Sequence, residues 1–215
     1  MKTLFNIENG FKALVIILLS MIAFNANAAK WSGEVGYASD YVFRGLSQTQ
    51  GASSGFGSID LDLENGVNAG VWVGQVDFAG NDAEQEIYSY ISYSKTLSDA
   101  VNVSVGYGDY TYAGDSSLNG SEQYVSVNVK DFGLTHVMGN DTYNDYTKLS
   151  YTGFDIVDIA YGMQDNVGDS LMFTKSFDIP LGGLEGSVAY IDFTADDGSL
   201  LPDEDMFVFA VSKSF

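Results

Sequence analysis

The sequence predicts an all-β chain, and within that class a transmembrane antiparallel up-and-down β-barrel of about 12 strands. Three observations carry this expectation. Bulky and small or polar residues alternate with period two through one segment after another. The connections between these segments alternate between short and long. The last stretch, Met206 to Phe215, sets Phe207, Phe209, Val211, Lys213 and Phe215 against Val208, Ala210, Ser212 and Ser214. A terminal strand frays unless something ties it down, and a closed barrel ties its last strand to its first.

Composition agrees with an exported β chain. The 215 residues hold 2 Pro and no Cys, but 24 Gly, 14 Tyr and 14 Phe. Pro removes ladder donors, so its scarcity suits strands, and without Cys there is no disulfide framework. Ala13 to Phe24 is an apolar run that leads into Asn25-Ala26-Asn27-Ala28-Ala29. It is too short for a comfortable membrane helix and reads as a secretory signal over residues 1–28, cleaved after Ala28. Residues 29–215 then form a single domain. The formal net charge is -20, and loss of Lys2, Glu8 and Lys12, together +1, leaves about -21. So acidic a chain is unsuited to nucleic acid.

The first mature segment, Trp31 to Gly45, alternates throughout. Trp31, Val35, Tyr37, Tyr41 and Phe43 share one face, and Ser32, Glu34, Gly36, Ala38, Asp40 and Arg44 the other. Phe56 to Glu64 places Ile59, Leu61 and Leu63 opposite Ser58, Asp60 and Asp62, and Asn65-Gly66 signals a tight turn. Val67 to Phe78 returns. Glu86 to Lys95 follows, with Tyr88 and Tyr90 blurring its pattern. Val101 to Tyr107 and Val125 to Val129 alternate cleanly with Asn, Ser, Gly and Lys. Phe132 to Met138 is weaker. Segments around Leu149, Val157 to Met163, Leu171 to Ile179, Leu184 to Phe193 and Phe207 to Phe215 complete an even set. The short connections are Glu64 to Gly66, Leu97 to Ala100, Lys130 to Gly133, Gly153 to Asp155 and Ile179 to Gly183. The long polar ones are Leu46 to Ser54, Ala79 to Gln85, Ala113 to Glu122, Gly139 to Asp145, Gln164 to Asp169 and Thr194 to Asp205. Outer-membrane barrels show this asymmetry, with short periplasmic turns and longer outside loops.

Ser39 to Thr49 reads SDYVFRGLSQT. Together with the signal segment, the Gly- and Tyr-rich strands and the terminal Phe, it resembles the TorF-type porins. These are a proteobacterial family of conserved hypothetical proteins with the family-model name Gcw_chp. The resemblance implies an outer-membrane location and a channel, and carries over no catalytic residues. Phe215 resembles the C-terminal signal read by the barrel-assembly machinery, although Lys213 stands where that signal usually has a hydrophobic residue.

Chemistry other than transport finds little support. The single histidine, His136, has no G-x-S-x-G serine to serve. The acidic loops, Asp141 and Asp145, and Asp196, Asp197, Asp203, Glu204 and Asp205, could hold divalent cations loosely but match no EF-hand spacing. No cofactor is expected. In a barrel the bulky face meets lipid, and the small-residue face lines the lumen. The charged lumen candidates are Glu34, Asp40, Arg44, Asp60, Asp62, Lys148, Asp158 and Asp178, with Arg44 expected to reach a neighbouring carboxylate such as Asp60. The functional expectation is a channel for passive diffusion of small polar solutes, cation-preferring because rings of acids favour cations. Rival readings are an outer-membrane lipid-modifying enzyme, a structural or adhesive barrel, and a secreted carbohydrate-binding β-sandwich.

Overall fold

The computed structural model describes residues 29–140 and 142–215. The expected signal at 1–28 and the acidic Asp141 lie outside the described residues. In chain order the strands are β1 (Lys30–Ala38), β2 (Val42–Phe43), β3 (Leu46–Ser47), β4 (Ser54–Asp62), β5 (Val67–Gln75), β6 (Gln85–Ser98), β7 (Val101–Ala113), β8 (Gly120–Val129), β9 (Phe132–Asn140), β10 (Tyr146–Tyr151), β11 (Asp158–Gln164), β12 (Gly168–Ile179), β13 (Leu184–Ala195) and β14 (Glu204–Ser214). Twelve of them close into an antiparallel barrel, each paired with its neighbours in sequence, while β2 and β3 form a separate hairpin. A β-sandwich is thereby excluded.

Closure is made by β1 against β14, with Glu34 opposite Ser214 and Ala38 opposite Ala210. Phe215 extends the ladder, exchanging two backbone hydrogen bonds of 3.0 Å with Gly33. Its ring lies over Gly33 on the outer wall, where a Cβ on residue 33 would sit 2.7 Å from the ring. Glycine at this position lets the terminal aromatic lie flat against the seam.

Period-two alternation now has a direction. Trp31, Val35, Ile59, Val105, Val125, Leu134, Phe177, Phe207 and Phe209 are exposed on the outer wall, a continuous apolar surface suited to hydrocarbon. The residues between them face inward. At the short-turn end, Tyr151 meets Phe132 at a tilt and Phe154 edge-on, with centroids 4.6 and 4.8 Å apart, as in an interfacial aromatic girdle.

Two expectations need correction. The alternation of short and long connections fails around β10 to β12: 152–157 between β10 and β11 is longer than both 141–145 before it and 165–167 after it, and 165–167 is also shorter than 180–183 between β12 and β13. And Trp31 to Gly45 is not one strand. β1 stops at Ala38, and the chain then turns into the barrel. The largest buried cluster is therefore inside the barrel at the long-loop end. Val76, Ala83, Tyr110 and Tyr112 form it, with Tyr41, Phe43, Phe78, Tyr88, Leu118 and Tyr143 packed around.

Candidate functional site

The inturned segment, 39–53, is built residue by residue from the SDYVFRGLSQT stretch. Ser39 makes the exit: its N–H donates to the Phe209 carbonyl at 2.8 Å, and its hydroxyl accepts from the Phe209 N–H at 3.0 Å. Asp40 staples the hairpin base. Its Oδ1 accepts the Ser47 hydroxyl at 2.7 Å and the Thr49 hydroxyl at 2.8 Å. Arg44 and Gly45 take φ of 53° and 94°, the doubly left-handed pair of a two-residue hairpin turn. Glycine at 45 is also needed for space, since a Cβ there would lie 2.6 Å from Ser170 Cβ and 2.9 Å from Phe193 Cδ2. The tip thus presses on β12 and β13, the third and second strands round the wall from β1.

The hairpin is fixed to the wall by aromatic and charged contacts. Tyr41 packs on Trp72 at 5.0 Å and donates to Glu86 Oε1 at 3.1 Å. Burial first, and then the Glu86 carboxylate, push the Tyr41 phenol up, so it stays a neutral donor. Tyr112 donates to the other Glu86 oxygen at 2.9 Å. Phe43 meets the Tyr110 ring edge-on at 5.9 Å. Arg44 Nη2 pairs with Glu122 Oε2 at 2.5 Å, and the two side chains are only 6% and 5% exposed. Tyr110 donates to Glu122 Oε1 at 2.8 Å. The guanidinium carbon lies 4.6 Å from the Phe43 ring centroid and 4.5 Å from that of Tyr146, within cation–π range. Arg44 Nη1 is buried and makes no hydrogen bond.

Two of the expected lumen residues therefore change role. Asp40 and Arg44 are not wall residues but the staple and tip of the hairpin. Arg44 meets Glu122, not Asp60; Asp60 instead accepts from the Tyr90 hydroxyl and, at 3.3 Å, from Ser58. The strand register places Glu34, Asp60, Asp62, Lys148, Asp158 and Asp178 on the inner face. Glu34, for instance, stands opposite Ser58 and Ser214, and Asp178 opposite Glu185. Asp62 is exposed and accepts the Glu64 N–H at 2.7 Å, shaping the β4–β5 turn. Asp158, Asp178 and Glu185 are exposed at the same short-turn end. Sequence reasoning does not single out Glu86 and Glu122. Glu122 falls in a stretch that reads as loop, and Glu86 begins the strand whose tyrosines obscure its alternation. The parity that Glu86 shares with Tyr88 and Tyr90 is the one signal that points to it.

The inner face is also less open than its small residues suggest. Several inward glycines are niches beneath rings: a Cβ on Gly74 would run into the Trp72 ring, one on Gly106 into Tyr124, and one on Gly108 into Tyr88. Beside the hairpin tip a cavity of about 270 Å³ remains, bounded by Arg44, Tyr146, Lys148, Gly162, Ser170 and neighbours. His136 shares outward parity with Val125, and its Nδ1 is 3.0 Å from Thr147 Oγ1 rather than from a serine. Among the described residues no group of three or more His, Asp or Glu is arranged to hold a metal ion. Asp145 and Asp203 instead accept the Gly139 and Ala195 N–H groups, each at 2.9 Å.

The architecture is shared with solved structures. The KdgM porin superposes with a TM-score of 0.58 at 13% identity, over 86% of this chain and 99% of that one. KdgM porin in complex with disordered oligogalacturonate gives 0.57 at 12%, over 86% and 98%. OprD of Pseudomonas aeruginosa is a looser likeness, with a TM-score of 0.43 at 11%, over 87% and 66%. At these identities the likeness to KdgM establishes the barrel fold. No curated protein matches the chain in sequence. A family model described as "Bacterial protein of unknown function (Gcw_chp)" matches residues 23–181, and the chain belongs to that family.

Proposed function

We propose that the protein is an outer-membrane channel for passive diffusion of small polar solutes, narrowed near its long-loop end by the hairpin. The observation that carries the reading is the combination of a closed barrel, an apolar outer wall and an inner wall of Ser, Gly, Asn and carboxylates. Only a closed barrel or helices can satisfy the backbone in lipid, and no helix among the described residues is long and apolar enough to cross a membrane. By the usual orientation the short turns face the periplasm and the long loops the exterior. The KdgM likeness supports the same reading, because oligogalacturonate is itself a polar solute. Phe215, hydrogen-bonded at the seam and exposed on the outer wall, is suited to be the feature that assembly machinery recognises.

The channel is further proposed to prefer cations. The inner face carries Glu34, Asp60, Asp62, Asp158, Asp178 and Glu185 against Lys30 and Lys148, and fixed charge of one sign concentrates counter-ions. Conductance of the purified barrel in planar bilayers tests both statements. Small open-channel steps with a cation-selective reversal potential in a salt gradient are expected. Anion preference would reject the charge argument. Absence of any conductance would leave a structural barrel plugged by its hairpin, the reading that the buried Arg44–Glu122 pair favours.

A further inference from the structure

The barrel wall is not of even height. β10 and β11 have 6 and 7 residues, whereas the other ten barrel strands have 9 to 14. A tilted transmembrane strand takes about 9–11, so this sector is low for the hydrocarbon it meets. Its connection, 152–157, carries Phe154 and Ile156, 51% and 72% exposed. On the outer face of the same sector lies a groove of about 550 Å³. Two rows of register partners line it. One runs Val127, Leu134, Leu149, Tyr161 across β8 to β11, and the next, toward the short turns, includes Phe132 and Tyr151. The Tyr161 hydroxyl is drawn toward the long loops, where it donates to Asp169. The Tyr151 hydroxyl lies at the other end, beside Gly153. Between these rings Val127, Leu134 and Leu149 present only aliphatic side chains, and no charged residue lines the groove. The rim at the short-turn end carries both signs. Lys130 and Asp131 sit in the turn between Val129 and Phe132, two lining residues, and Lys175 Nζ donates to the Asp155 carbonyl at 3.1 Å in the 152–157 connection. All four are exposed, and among the described residues neither lysine is ion-paired.

We propose that this groove seats one acyl chain of a phospholipid from the periplasmic leaflet, with a zwitterionic headgroup at the two-signed rim. Lipid tails are as apolar as the groove, so no hydrophobic gain drives the seating. It comes from van der Waals contact along the sides of one chain and from the headgroup pairs. The phosphate faces Lys130 and Lys175, and the amine faces Asp131 and Asp155. An anionic headgroup would meet the two carboxylates with no positive charge of its own to offset them. The groove has the volume of an ordinary small-ligand site. A chain held beside the two shortest strands also fills the place where the bilayer would otherwise thin to match them. The proposal rests on the outer-membrane reading, with the short turns periplasmic, and not on conduction.

The test is native mass spectrometry of the folded barrel in detergent, titrated with palmitoyl-oleoyl phosphatidylethanolamine. Retention of one lipid above the statistical distribution is expected, and more tightly than phosphatidylglycerol of the same chains. Leu149→Trp, which fills the groove with another apolar side chain, should weaken that retention by about tenfold. Val127→Phe should act in the same direction from the neighbouring side. Val71→Trp, on the outer wall of β5, should leave it unchanged. Lys130→Gln with Lys175→Gln should weaken it several-fold while the chain contacts remain. Heat-modifiable migration confirms that each variant is folded. Statistical retention only, unchanged retention in folded Leu149→Trp and Val127→Phe, or preference for phosphatidylglycerol would overturn the proposal. A dimer mass that disappears in Leu149→Trp would assign the groove to a second copy of the chain and overturn it as well. A barrel soluble without detergent would sink the membrane reading and the groove together. Lipid retention without conductance would keep the groove and sink the channel; conductance with statistical retention would do the reverse.

Discussion

The two halves of the lumen are built by the same twelve strands and have opposite characters. Toward the long loops, Tyr88, Tyr110, Tyr112, Tyr143 and Tyr146 surround the hairpin, and Glu86 and Glu122 are buried at 1% and 5% exposure with all four carboxylate oxygens hydrogen-bonded. Toward the short turns the inner wall is Ser, Gly, Asn and exposed acid. Inner-wall composition alone does not separate a filled lumen from an open one, because glycines beneath rings and glycines facing open space read the same in sequence. The difference is made by 39–53, a segment that donates a core to one half only. Fixed electrostatics thus sit at the hairpin, and solvated charge sits at the other mouth.

The strongest way to break this comparison is to remove its cause. Replacing 40–52 with a short Gly-Ser linker should raise single-channel conductance several-fold while the barrel still folds. An unchanged conductance would mean that the hairpin is not the narrow point. Next in size, Glu122→Gln leaves Arg44 charged and buried without its partner, which should cost about 3 kcal/mol. Asp178→Asn, an exposed acid at the other mouth, should leave thermal or denaturant unfolding unchanged. Equal effects would show that the two halves are equally packed.

A smaller contrast tests the inner wall directly. Gly108→Ala forces Tyr88 to move, since the new methyl would run into its ring, and overpacking of this kind costs about 1–3 kcal/mol. Ser104→Ala, on the same inner face toward the short turns, should be neutral in the same unfolding assay. The smallest effect concerns ions. Asp158→Asn with Asp178→Asn should shift the reversal potential toward zero at 0.1 M salt, where the Debye length is about 10 Å, and hardly at 1 M, where it is about 3 Å. A shift of equal size at both salts would place those acids in a confined, unscreened path.

Much of the wall was legible in the sequence. Alternation at Val101 to Tyr107 and Val125 to Val129, the Asn65-Gly66 turn and the pairing of the last strand with the first all follow from local pattern and the need to satisfy a terminal strand. The hairpin was not legible as such. Its strands keep the same period-two pattern as β1, and Arg44-Gly45 lacks the Asn-Gly or Asp-Gly signature of a two-residue turn. Only Ser39 and Asp40, both turn-forming residues, marked the break.

By itself the sequence determined the barrel and the two faces of its strands, because side-chain parity is a property of each strand alone. The tertiary structure decided where the SDYVFRGLSQT segment goes and whom its charges meet. Arg44 and Glu122 are 78 residues apart, and Tyr41 and Glu86 are 45 apart. Their pairing exists because barrel closure brings distant strands around one lumen. No local period encodes which strand will stand across from a given residue once the wall has closed.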